Sequence, residues 1–518
     1  MKKTLTALAA GAALTLGSLT AQATTLRMAY DSDPVTLDIQ EQLSGATLQL
    51  SHMTFDPLVR WTKDLQFEPR LAESWERIDE NTMRFKLRQG VHFHSGNTLT
   101  ATDVAWTFER LKNSPDFKAI FAPFSGIKVI DDYTFELITA EPYPLVLNAA
   151  TYLFPMDHAF YSGKDESGHP KSEIVKHGNS YASTHLSGTG PYTVTERQQG
   201  VRVEFQRFDD YWDKSSPGNV DKIILTPIKE NATRVSALLS GGVDYIAPVP
   251  PTDLERIRRD DNSELVTMSG TRIIMMQMNQ QRVEAFKDRR VRQAIAYAVN
   301  QEGIAAKIMK GFATPAAQLS PEGYLGHNPD LKPRYDLEKA KALMAEAGYA
   351  DGFTITMMAP NNRYVNDAKI AQAVAAMLAR INIKVDLKTL PKAQYWPEFD
   401  NRSADIMMIG WHSDTEDSTN FYEFLTMCPD TATGSGQYNS GQYCNPDIDR
   451  EVRATNTETD VDKRAAMLKD IEQKLYDDAA FIPLHWQDLA WASRKGVEIE
   501  PVINVMNFPY LGDLVIKE

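Results

Sequence analysis

Acidic and aromatic side chains crowd one stretch of this 518-residue chain. From Ile406 an apolar run ends at Gly410 and passes directly into Trp411, His412, Asp414, Glu416 and Asp417, with Cys428 and Cys444 beyond Tyr422. A carboxylate in such a place can take an ammonium group. A second polar loop, Asn361-Asn-Arg-Tyr364, also follows an apolar run, and a guanidinium can hold a carboxylate through two parallel hydrogen bonds. Asp414 and Arg363 are thus candidate opposite poles for a zwitterion. Trp411 and Tyr364 are candidate apolar walls, and His412 and Tyr30 are further candidate contacts. The blander readings are a solvated acidic face for Asp414, Glu416 and Asp417, a surface arginine in a polar loop for Arg363, and a core position for Trp411. If Glu416 joins Asp414, the extra carboxylate favours a ligand more cationic than a simple zwitterion.

These loops need elements to hold them. Phe353-Thr-Ile-Thr-Met-Met-Ala359 reads as a strand, and Ile370, Val374, Met377, Leu378 and Ile381 recur at helical spacing in a helix from Asn366. Ile383, Val385 and Leu387 alternate as a second strand, Gln394 to Arg402 reads as a helix, and Ile406 to Trp411 is a third strand. That β-α-β-α-β order wants a parallel sheet with right-handed crossovers. Ligands bind beyond the carboxyl ends of such strands. Both polar loops leave a strand's carboxyl end, which raises Asp414 and Arg363 above the solvated alternative.

The rest of the chain sets the context. Lys2 and Lys3, an apolar run from Leu5 to Leu19, and Ala21-Gln-Ala23 form an export leader with a cleavage site after Ala23. The run falls short of the roughly 20 apolar residues of a membrane span, so a soluble exported protein is expected. The formal net charge of -14 argues against nucleic acid or an anionic membrane as partner. In an oxidising compartment the two cysteines are expected to pair as a disulfide, Cys428 with Cys444, bracing the loop after the acidic segment. A metal pair is the rival reading, without a Cys-x-x-Cys or a His-rich flank to support it. The roughly 500 remaining residues suffice for two or three domains.

Earlier in the chain, Leu26, Met28 and Tyr30 alternate as a strand, Met83, Phe85 and Leu87 line another, and Thr100 with Asp103 forms a capping box for a helix carrying Trp106, Phe108 and Leu111. His92 and His94 share one face of an extended segment and could chelate a metal, but nothing local completes a ligand set. Gly188-Thr-Gly190-Pro191 reads as a turn, not a nucleotide loop, because Pro191 breaks the helix a phosphate would need. No Gly-x-Ser-x-Gly, His-Glu-x-x-His or Walker pattern occurs.

Leu71-Ala-Glu-Ser-Trp75 followed by Phe85-Lys-Leu-Arg-Gln-Gly-Val-His-Phe-His-Ser-Gly-Asn-Thr-Leu-Thr-Ala-Thr-Asp-Val104 resembles the signature of the family 5 extracellular solute-binding proteins, the dipeptide-, oligopeptide- and nickel-binding components of ABC importers. The resemblance continues through Ser187-Gly-Thr-Gly-Pro-Tyr192, Phe208-Asp-Asp-Tyr-Trp212, Ala237 to Asp244, Asp288 to Val299 and Ala340 to Tyr349, and ends near Ile482-Pro-Leu-His485. It implies an α/β, two-lobed periplasmic-binding-protein fold with a hinge, the first lobe carrying an extra subdomain. The implied division is a leader to residue 23, lobe I over 24–268, lobe II over 269–484 and a return to lobe I over 485–518. In peptide binders of the family an aspartate at the position of Asp414 meets the ligand's α-amino group, and an arginine near Arg363 meets its carboxylate. The implied function is capture of a peptide-like or cationic amine-bearing solute in the periplasm and delivery to an inner-membrane ABC permease by a monomer without cofactor, metal or catalytic residues. Nickel or haem acquisition and a periplasmic peptidase are the alternatives.

Overall fold

The computed structural model describes residues 23–175 and 180–517. Residues 1–22 of the expected leader, which ends at Ala23, lie outside the described residues. Among those described, no helix is long and apolar enough to cross a membrane.

Two large sheets organise the chain. The first has seven strands, in the spatial order Ser263–Met268, Leu489–Arg494, Tyr245–Ala247, Thr25–Tyr30, Lys222–Pro227, Arg202–Arg207 and Tyr192–Gln198. A separate antiparallel sheet of four strands, Ala72–Asp79, Thr82–Leu87, Thr134–Thr139 and Phe124–Asp131, is inserted between Thr25–Tyr30 and the later strands of the first sheet. Met83, Phe85 and Leu87 face its core with Phe108 and Leu111 of the helix Ala101–Lys112. The expected capping box is present: Asp103 accepts from the Thr100 backbone N–H at 2.8 Å.

The second sheet has six strands, in the order Thr314–Pro315, Ile482–Trp486, Ile273–Met278, Ile406–Trp411, Phe353–Pro360 and Ile383–Leu390. The three strands read from sequence are parallel to one another, with Phe353–Pro360 between the other two. Ile406–Trp411 is central because both its faces are apolar: Ile406 and Met408 enter one core, and Met407 and Ile409 the other. The helix expected over 394–402 instead spans Lys392–Asp400; Arg402, at φ 51°, takes a left-handed conformation that cannot continue it.

Two strand pairs join the sheets. Ser263–Met268 runs on to Ile273–Met278, and Ile482–Trp486 runs on to Leu489–Arg494; the two crossings lie side by side, since Met268 pairs with Leu489 and Ile273 with Trp486. His485 and Trp486, on the far side of the sequence boundary at 484, thus still belong to the second sheet. The crossings touch at Gly270, where an added Cβ would stand 2.4 Å from the Gln487 carbonyl. The Gln487 N–H donates to the Arg272 carbonyl at 2.9 Å, so Arg272 is built into the crossing itself. Cys428 and Cys444 are joined by a disulfide across 16 positions.

Candidate functional site

Sheet topology brings three charged side chains to one edge. Phe353–Pro360 and Ile406–Trp411 are parallel, so their carboxyl ends coincide; Ile273–Met278 is antiparallel to Ile406–Trp411, with Ile273 opposite Trp411, so its amino end lies there too. Arg363 follows the first strand, Asp414 the second, and Arg272 immediately precedes the third. The central strand carries the acid, and the strand on each side carries an arginine.

All three line one cavity of about 450 Å³, with Trp396, Trp411 and Tyr438 as aromatic walls and Gly410, His412 and Asp400 completing it. Trp411 packs against Tyr438 at 4.6 Å and Phe424 at 5.4 Å between ring centroids, and its indole N–H donates to Asn420 at 2.7 Å. Tyr438 stands on the loop that the disulfide closes. The bridge therefore braces a cavity wall. A second chamber of about 370 Å³ shares Arg272, His412 and Asp414 and extends to Tyr152, Gln487 and Phe508.

Asp414 is exposed to this space, and among the described residues its carboxylate has no hydrogen bond or ion pair. The surrounding walls nonetheless displace enough water to raise its pKa above the ordinary carboxylate value; His412 and Arg272 oppose that shift and Glu416 adds to it. The loop is fixed through its backbone: the Tyr152 hydroxyl donates to the Asp414 carbonyl and Asn148 Nδ2 to the Thr415 carbonyl, both at 2.7 Å. His412 is held between Thr271 Oγ1, 2.9 Å from Nδ1, and Glu416 Oε1, 3.3 Å from Nε2.

On the opposite side, Asp367 accepts from the backbone N–H groups of Arg363 and Tyr364 at 2.9 and 3.0 Å, which fixes the turn that presents Arg363. The guanidinium lies 4.9 Å from the Tyr364 ring centroid, and its Nε is buried without a hydrogen-bond partner. Burial holds the Arg272 pKa below its ordinary value, and the like charge of Arg363 lowers it further; an arginine so placed remains charged. Neither guanidinium forms an ion pair among the described residues.

Several expected positions are corrected. Tyr364 is not a cavity wall: it is buried in the core, and its hydroxyl accepts from the Gly410 N–H at 2.8 Å. Gly410 makes room for that ring, since a Cβ there would lie 2.6 Å from it. Tyr30 lines a different chamber, of about 440 Å³, with Asp31 and Pro248, and its hydroxyl donates to Gln49 at 2.8 Å. That chamber and the second share Ser44, Gly45 and Asn507 in their walls. Glu416 and Asp417 do not face the cavity. Glu416 is buried and accepts from the Tyr324 hydroxyl. Asp417 is buried in a two-pronged pair with Arg464 at 2.7 and 2.8 Å and caps the helix Ser418–Leu425. With Glu416 turned inward, it does not join Asp414 to favour a more cationic ligand.

Nor do the two histidines converge on a metal. His94 Nε2 lies 3.0 Å from the Gly190 carbonyl and its Nδ1 accepts from the Gly188 N–H at 3.3 Å, a neutral imidazole whose pKa burial lowers to about 4. His92 instead contacts Asp210 at 2.6 Å. Gly188 and Gly190 are a turn pressed onto Thr54 and Phe55, with no space for side chains. Sequence reasoning missed Arg272, Trp396 and Tyr438. Arg272 had one signal, a charge abutting the apolar run that begins at Ile273.

Comparison with known proteins adds a family. The sequence model described as bacterial extracellular solute-binding proteins, family 5 Middle, matches residues 66–433. The chain is 27% identical over 506 residues to the dipeptide-binding protein of Escherichia coli K12, covering 92% of each. Among solved structures it superposes on the murein tripeptide-binding protein MppA in its unliganded open form with a TM-score of 0.82, at 21% identity over 96% of this chain and 98% of the other. It superposes on the periplasmic binding protein DppA of Helicobacter pylori, in complex with the peptide STSA, with a TM-score of 0.71 at 23% identity over 95% and 98%.

Proposed function

Because the chain belongs to the bacterial extracellular solute-binding proteins of family 5, we propose that it captures a short peptide in the cavity between Asp414 and the two arginines and delivers it to an ABC permease. The single observation that carries this reading is an unpaired carboxylate facing unpaired guanidinium groups across one aromatic-walled cavity. A peptide zwitterion supplies the ammonium for Asp414 and the carboxylate for Arg363, with charge-assisted hydrogen bonds at both ends. Trp411, Trp396 and Tyr438 supply apolar surface for side chains.

In this reading the first lobe takes 24–268 with the return from 487, and the second lobe 269–486, since the strand Ile482–Trp486 lies in the second sheet. Rotation about the adjacent crossings at Gly270 and Gln487 brings the lobes together. Arg272 sits on that hinge and in the cavity, so a bound carboxylate acts on the moving part directly. The protein is exported by its leader, cut after Ala23, and holds its ligand without chemical turnover.

Native mass spectrometry of protein purified without refolding tests the reading, followed by incubation with a bound dipeptide. The expected result is a peptide-sized adduct, released unchanged after prolonged incubation. Cleaved peptide would establish a peptidase instead, and a metal or haem adduct would establish the acquisition reading.

A further inference from the structure

The turn that presents Asp414 is held from another part of the chain. Between the strand Ile406–Trp411 and the helix Ser418–Leu425, Ser413 closes the turn: its Oγ accepts from the Asp417 N–H at 3.1 Å and its carbonyl from the Glu416 N–H at 3.4 Å. Those bonds leave the carbonyls of Asp414 and Thr415 unused. The Asp414 carboxylate has no partner among the described residues either.

Both carbonyls are taken by side chains of the inserted four-stranded unit. Val146, Ala149 and Tyr152 pack in its core with Phe85 and Phe108, which fixes the helix Val146–Ala150 and the turn after it. Asn148 and Tyr152 are four residues apart, so they share one side of this helical stretch. Asn148 reaches the Thr415 carbonyl and the Tyr152 hydroxyl the Asp414 carbonyl, and among the described residues these are the hydrogen bonds that the two carbonyls accept. The donors are buried, Asn148 at 8% and Tyr152 at 6% exposure. Burial also holds the Tyr152 phenol well above its ordinary pKa, so its hydroxyl keeps the proton it donates. Tyr152 lines the second chamber, but its polar atom is committed to the Asp414 backbone.

A carboxylate that is to meet an ammonium must be held to a fraction of an ångström. Resting on the peptide reading above, we infer that Asn148 and Tyr152 are positioning residues for the ammonium pole, acting on the ligand through the backbone of Asp414 and Thr415. The donors belong to one folded unit and the carboxylate to another. Binding of the ammonium and the contact between the units therefore stabilise one another, as linkage requires.

Calorimetry with Ala-Ala and Ala-Ala-Ala, each beside its N-acetylated form, tests the inference. Tyr152→Phe keeps the ring in its core and removes only the hydroxyl. It is expected to weaken the free-amine peptides about fivefold, as for loss of one hydrogen bond, and to leave the acetylated forms within about twofold. In the Asp414→Asn background the same change is expected to weaken binding by less than about twofold, because the pole it positions is gone. Asn148→Ala examines the second bond in the same way, and serves where Tyr152→Phe protein does not fold. Equal weakening of free-amine and acetylated peptides by a folded variant would overturn the inference, since a general structural role moves both alike. Unchanged affinity for the free-amine peptides would overturn it too, as would an undiminished effect in the Asp414→Asn background. Each of these outcomes leaves the peptide reading standing. Failure of all these peptides to bind the wild-type protein would overturn the peptide reading, and the inference with it.

Discussion

Replacing Asp414 by Asn removes the negative pole while keeping the side chain's size. Two unit charges at about 4 Å interact by about 4 kcal/mol at the effective dielectric of a protein surface. Against this stands the desolvation of the ligand's ammonium. Part of the carboxylate's own desolvation is already present in the fold, as its raised pKa records. The net loss for an ammonium-bearing ligand is therefore about 2 kcal/mol, within the range for truncating one partner of a buried charge pair. That corresponds to roughly 30-fold in Kd. Calorimetry should compare a dipeptide with its N-acetylated form on both proteins. The acetylated peptide has no ammonium, so it should bind the wild-type protein weakly and lose nothing further in Asp414→Asn. The pH dependence adds a sign: affinity for the free-amine peptide falls as pH drops through the raised pKa of Asp414, and Asp414→Asn flattens that profile. An equal loss for both peptides would mean that the substitution disturbs the loop, and unchanged affinity would refute the reasoning outright.

Other consequences concern the frame. Asp417→Asn leaves Arg464 buried without its carboxylate, and should lower unfolding free energy by about 3 to 5 kcal/mol in chemical denaturation. Arg464 holds the Asp417 pKa low against the opposing effect of burial, so this contribution is present at neutral pH and is lost as pH falls through the depressed pKa. Replacing both Cys428 and Cys444 by Ser should cost about 3 kcal/mol and redden the emission of Trp411 as the Tyr438 wall loosens; unchanged emission would separate the bridge from the cavity. Asp488 lies in the crossing beside Thr314, and burial raises its pKa to about 6. A raised carboxyl stabilises below the unfolded value and loses that advantage as pH rises through 6. Asp488→Asn should therefore stabilise the protein above that pH by about 1 to 2 kcal/mol, allowing for the group's partial exposure, and a melting profile parallel to wild type from pH 4 to 8 would contradict it.

What could be read from the sequence was what local pattern determines. The strands Phe353–Pro360, Ile383–Leu390 and Ile406–Trp411 follow from alternation or unbroken apolarity, and their parallel order follows from the intervening helices. That order sufficed to bring Arg363 and Asp414 to one edge. Arg272 escaped because its place depends on an antiparallel register, Ile273 opposite Trp411, that no local pattern encodes. The same holds for the acids. Asp414, Glu416 and Asp417 are near neighbours of one charge type, and only distant partners, Tyr324 and Arg464, decide that two of them turn inward. Tyr364 was misread because the space for its ring comes from a missing side chain at Gly410, on another strand. Tyr438 enters the wall through a disulfide-closed loop whose ends the sequence could pair but whose course it could not trace.

A crystal structure of the protein with a bound dipeptide would locate both ends of the ligand. The ligand's ammonium is expected about 3 Å from the Asp414 carboxylate and its terminal carboxylate on Arg363, with the lobes closed about Gly270 and Gln487. A peptide seated in the Tyr30 chamber, with Asp414 and Arg363 still facing solvent, would contradict it.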